Sequence, residues 1–243
     1  MKQIYTVFKR ELAAYFNNPL AYVLILIFNI LSIVFLLLLS DFFQSENATL
    51  DNFFGRHVWL LLIIGPAIGM RLWSEEQRAG TIELVLTMPV SAWKVIAGKF
   101  LGAMVVLLAA LVSTLTVVWT VAYLGSPDYG TIFSGYLSSF LTGGACIAVT
   151  CFVSALTRSQ VTCLLVSIAL LFITTIIGFP PCIEFVRDTL GEGASGLLSS
   201  LSLFQHSADM NSGKVTLQSL TYFASIIGFS LYLTSVIIRS KRS

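Results

Sequence analysis

Six apolar stretches, each close to or longer than the roughly 20 residues needed to cross a bilayer, constrain this chain more than anything else in it. They cover 20–39, 58–72, 95–124, 132–156, 161–179 and 220–238, the second being short as written and placed to begin near Phe53. With 56% hydrophobic and only 11% charged residues, the sequence falls far below the charged fraction of about 25% found in soluble domains. The expectation is an all-α integral membrane protein with six transmembrane helices, one transmembrane domain over 1–243.

The cations before the first run, Lys2, Lys9 and Arg10, resemble the start of a signal peptide. That run is too long for such a segment and ends in Leu39-Ser40-Asp41 without a small-residue cleavage site, so it reads as a retained span. Eleven Lys and Arg fall on one side of the six spans and three (Arg56, Arg187, Lys214) on the other. The side rich in cations is the cytoplasmic one, which places both termini and 71–94 in the cytoplasm.

Residues 1–16 put Ile4, Phe8, Leu12 and Tyr15 or Phe16 at helical intervals, with Lys9, Arg10 and Glu11 elsewhere on the wheel. This fits a helix lying in the cytoplasmic interface against membrane lipid. Gly65 and Gly69 in the second span, and Gly98 and Gly102 in the third, have the spacing of close helix packing. Between 179 and 219, stripes at Phe185, Val186, Leu190 and at Leu197, Leu198, Leu201, Phe204 predict two short amphipathic helices on the outer side, with His206 just beyond them.

Residues 71–94 form the one charged, helix-patterned segment between two long apolar runs. Ser74 with Gln77 has capping-box spacing, which puts Glu75 and Glu76 in a first turn. Gly80 interrupts that piece. Thr81 can cap a second, with Glu83 in its first turn and Ile82, Val85 and Leu86 on one face, until Pro89 stops it. Ser91 can cap the next span. The pattern fits an ordinary solvated loop as well as a docking element. Arg158, in the short turn between the fourth and fifth stretches, is a second, minor contact candidate on the same side.

Several chemistries are excluded by what the spans lack. The first, fourth, fifth and sixth carry no ionisable Asp, Glu, Lys, Arg or His, and the third only Lys99, against the intramembrane charges of ion-coupled carriers. There is no phosphate-binding Gly-rich loop ending in Lys-Ser or Lys-Thr, so no ATP site is expected in this chain and no cofactor of its own. No metal site or disulfide is expected from Cys146, Cys151, Cys163 and Cys182, which lack paired spacing. A net charge of +2 and no basic run interleaved with aromatics give no nucleic-acid partner.

Glu76-Gln77-Arg78-Ala79-Gly80-Thr81-Ile82-Glu83-Leu84-Val85-Leu86-Thr87-Met88-Pro89 resembles the signature of ABC exporter permeases of the second type. Asn18-Pro19-Leu20, Pro66 to Arg71, Gly98-Lys99-Phe100 and Ser202 to His206 are similar to one branch, the gliding-motility-associated, GldF-like permeases, with the NosY-like permeases of copper-enzyme maturation as neighbours. One departure follows His206, where the branch carries aromatics and an Arg and this chain has Ser207 and Ala208. The resemblance implies an interfacial entry helix, a cytoplasmic coupling helix within 74–89 and short re-entrant helices within 180–219. It also implies a bacterial inner-membrane permease pairing with a second copy or a related permease subunit on two cytoplasmic ATPase subunits that hold ATP and Mg²⁺. An extracytoplasmic auxiliary subunit is an optional further partner. It marks Glu76, Arg78, Gly80, Thr81, Glu83 and Pro89 as ATPase-contact residues, and Glu75, Ile82, Val85 and Leu86 of the same segment with Arg158 complete the expected contact set. The alternative is a non-transporting scaffold that passes mechanical work across the bilayer.

Overall fold

The computed structural model describes residues 2–39, 50–81, 91–124 and 128–240, and among these it contains helices and no strand. In chain order they are α1 (Lys2–Phe16), α2 (Pro19–Leu39), α3 (Asp51–Gly69), α4 (Arg71–Arg78), α5 (Ala92–Ser113) and α6 (Leu115–Leu124), followed by α7 (Tyr129–Leu156), α8 (Gln160–Ile176), α9 (Pro180–Leu190), α10 (Glu192–Ser200), α11 (Leu203–Asn211) and α12 (Leu217–Ser240). Five helical stretches are long and apolar enough to cross a membrane; α8 with α9 makes a sixth, bent by 58°. This is a multi-pass membrane protein.

α7 is the centre of the bundle, packed most extensively on α3 and α12 and also touching α4, α5, α8 and α11. Lipid tails are as apolar as leucine, so helices in a bilayer associate through close packing and interhelical hydrogen bonds. A Cβ on Gly65 would lie 2.6 Å from Cys146 Cβ, and one on Gly69 2.9 Å from Thr150 Cβ. α3 and α7 therefore approach as only glycine permits. Hydroxyls of α7 bond back along the helix, as Ser139 to the Gly135 carbonyl, and across to neighbours, as Ser138 to the Ser207 carbonyl of α11. His57, on α3, is buried among Phe28, Phe53 and Phe54, with Nδ1 3.1 Å from Ser139 Oγ.

Two expectations change. The third stretch is interrupted at Thr114, whose hydroxyl donates to the Leu111 carbonyl and meets the Tyr136 hydroxyl at 3.0 Å, dividing it into α5 and α6. The segment expected on the outer side, 179–219, holds three short helices where two were read. Ser202 accepts a hydrogen bond from the Gln205 amide and restarts the helix, so Phe204 belongs to α11 and not to the stripe before it. α11 is no surface element: Leu203, His206, Ser207 and Met210 are buried against the bundle.

Candidate functional site

α4 reads Arg-Leu-Trp-Ser-Glu-Glu-Gln-Arg and is separated from α3 by Met70 alone. Leu72, Trp73 and Ser74 face inward, while Glu75 and Arg78 are exposed. The break at Met70 leaves the first amides of α4 without intrahelical carbonyls, a deficit every helix start must fill. Ser154, near the end of α7, fills it. Its Oγ accepts from the Trp73 and Ser74 amides at 3.0 and 2.9 Å and donates to the Met70 carbonyl at 3.0 Å.

The capping is reciprocal. Gln77 Nε2 donates to the Ser154 and Ala155 carbonyls at 3.0 and 2.9 Å, satisfying the last turn of α7. The expected cap at Ser74 is thus corrected. Ser74 lies inside the helix with its hydroxyl turned back to the Met70 carbonyl, and Glu75 and Glu76 fall one turn later than expected. At the other end the Thr81 amide reaches the Glu76 carbonyl at 3.1 Å and the Gly80 amide the Gln77 carbonyl at 3.4 Å. This is a Schellman stop, and it requires the left-handed conformation that Gly80 adopts, φ 69°.

Charge holds α4 to two further helices. Lys99 of α5, its side chain only 3% exposed, places Nζ 3.1 Å from Glu11 of α1 and 3.0 Å from Glu76 of α4. Its ammonium also lies 5.1 Å from the Trp73 ring, a cation–π contact. Arg10 joins from outside, 2.9 Å from Glu11 and 3.7 Å from Glu76. Gly98 and Gly102 make this possible by letting the Val7 and Glu11 face of α1 lie directly on α5. Tyr15 completes the joint by donating to the Ile68 carbonyl at 2.8 Å. Burial, with the Glu11 carboxylate adding to it, raises the Tyr15 phenol above its ordinary pKa and keeps it a donor.

The candidate residues therefore separate into two sets. Glu75, Arg78, Gly80 and Thr81 are exposed at the end of α4, and the turn after α7, which α4 packs beside, presents Arg158 to the same surroundings. Glu76 instead turns inward to Lys99. Ile82, Glu83, Val85, Leu86 and Pro89 lie outside the described residues. Sequence reasoning missed Ser154 and Gln77 as mutual caps, and Glu11 and Lys99 as the ion pair beneath them. The one signal for the latter was Lys99 as the sole ionisable group in the third stretch, since charges in spans pair.

A family of sequences described as ABC-2 family transporter protein matches residues 5–226. The chain belongs to that family. It is accordingly a transporter permease, a membrane subunit of a class that works with an ABC ATPase. No curated protein matches it. In this ABC-2 permease the exposed end of α4 is braced through α7, α5 and α1.

Proposed function

We propose that this chain is the bacterial inner-membrane permease of an ABC exporter, with both termini cytoplasmic, and that its nucleotide-binding subunit docks on the end of α4 and residues 82–89. Arg158 is the second contact. Two ATPase subunits serve a pair of permease chains and hold the ATP and Mg²⁺; this chain contributes no nucleotide site. α1 is the interfacial entry helix, and α9 to α11 form the outer segment, of which α9 and α10 are available to an auxiliary protein.

The observation that carries the reading is the bracing of α4. Force applied at Gly80 and Thr81 reaches α7 through the Ser154 and Gln77 caps, α5 and α1 through Lys99, and α3 through the chain itself. An exposed loop would dissipate such a push; a helix tied to four others transmits it.

The test is ATP hydrolysis and transport by the complex of permease and ATPase in vesicles. Arg78→Glu and Glu83→Lys are expected to leave the permease folded while reducing coupled ATPase activity about tenfold or more, the scale of a disrupted charged interface. Unchanged coupled activity in both variants would refute the docking role. Coupled hydrolysis with no ATP-driven flux would favour the mechanical scaffold.

A further inference from the structure

An apolar groove of about 440 Å³ runs along the outside of the bundle. Ile4, Tyr5 and Phe8 of α1 form one wall, Leu101 and Leu108 of α5 the other, and Phe140 of α7 closes its far end. It exists because Gly98 and Gly102 draw the Val7 and Glu11 face of α1 onto α5, leaving the neighbouring apolar face of α1 overhanging the span. Leu101 to Leu108 is about 10 Å of helix at 1.5 Å per residue, inside the stretch that crosses the membrane. No charged side chain lines it, and water there would find almost no polar partner.

Two basic residues adjoin the residues that line this groove. Lys9 follows Phe8 on α1 and is exposed, and Lys94 lies two turns before Leu101 on α5, donating to Gln3 Oε1 at 2.9 Å. Arg10, Arg71 and Lys99 all have carboxylates within ion-pair distance; Lys9 and Lys94 have none among the described residues. Two cations without a carboxylate partner, on the helices that wall a hydrocarbon slot, suit a phosphate with an acyl tail.

We propose that the groove binds one acyl chain of an anionic phospholipid, with Lys9 and Lys94 holding its phosphate. The lipid fills the slot beneath α1 and so supports the helix that carries Glu11 to Lys99. This site stands on the membrane-spanning fold and is independent of ATPase docking.

The purified full chain, reconstituted in vesicles of equal phosphatidylglycerol and phosphatidylcholine and extracted in mild detergent, is to be analysed by native mass spectrometry. Retained phosphatidylglycerol should exceed phosphatidylcholine about tenfold, the order that two cations at a membrane surface provide. Lys9→Gln with Lys94→Gln should abolish that preference. Leu101→Trp, which fills the slot, should release the lipid, while Leu165→Trp on the exposed face of α8 retains it. Equal retention of both lipids by the parent chain, or equal loss in the two Trp variants, overturns the site. So does cross-linking of two copies through Leu101→Cys, which would make a second chain the occupant. Should Leu101→Trp not fold, the lysine pair decides alone.

Discussion

The helices packed against the two halves of α7 are tied to one another by opposite chemistries. Near its C-terminal end, α4, α5 and α1 are joined through charges, with Lys99 between Glu11 and Glu76. In its N-terminal half, α11 and α12 are joined through neutral groups. His206 Nε2 donates to the Ser200 carbonyl at 3.0 Å, its Nδ1 lies 3.2 Å from Ser219 Oγ, and its ring stacks on Tyr222 with centroids 4.2 Å apart. Tyr222 in turn donates to the Leu201 carbonyl at 2.7 Å. Since a carbonyl only accepts, Nε2 is a ring nitrogen that carries a proton here. In a neutral network each deletion removes one net hydrogen bond. In the charged one, deleting a member strands the others, so the end proposed to receive a push is also the end least tolerant of rearrangement.

The largest effect is expected at Lys99. Lys99→Met leaves two largely buried carboxylates facing each other and should cost about 3–5 kcal/mol, seen as a large fall in Tm in detergent. Adding Glu76→Gln should restore most of it, because Glu11 keeps Arg10. A single-variant loss under about 1 kcal/mol would break the contrast between the halves. Next is Ser154→Ala, which strips the cap from two buried amides and should cost about 2 kcal/mol; Ser154→Thr, retaining the hydroxyl, should recover part of the lost thermal stability. Tyr222→Phe removes one neutral bond and is expected to cost about 1 kcal/mol, with a denaturation midpoint shift that does not depend on salt. Smallest is Glu75→Gln, which breaks the exposed pair with Arg71 (3.0 Å). About 0.3 kcal/mol is expected there at low ionic strength and nothing measurable at high salt.

What was legible in the sequence follows the range of the interactions. The spans were read within a few residues because each depends on its own hydropathy, and the stop at Gly80 because a left-handed turn is a local demand. The start of α4 was misread for the converse reason. Ser74 had the right spacing to cap a helix, yet the hydroxyl that does so belongs to Ser154, on another helix. Lys99 stood out as the one ionisable group of the third stretch, but nothing local shows that Glu11 and Glu76 converge on it. The outer segment was divided wrongly because the stripe through Leu201 and Phe204 is continuous by periodicity, whereas Ser202 breaks it by accepting the Gln205 amide.

The most direct test is a photo-cross-linking residue placed at Thr81, on the exposed end of α4, and in parallel at Tyr123, exposed at the end of α6. In the assembled complex the Thr81 probe should capture the nucleotide-binding subunit and the Tyr123 probe should not. Capture at Tyr123, or at neither position in a complex that hydrolyses ATP, would contradict α4 as the point where the ATPase takes hold.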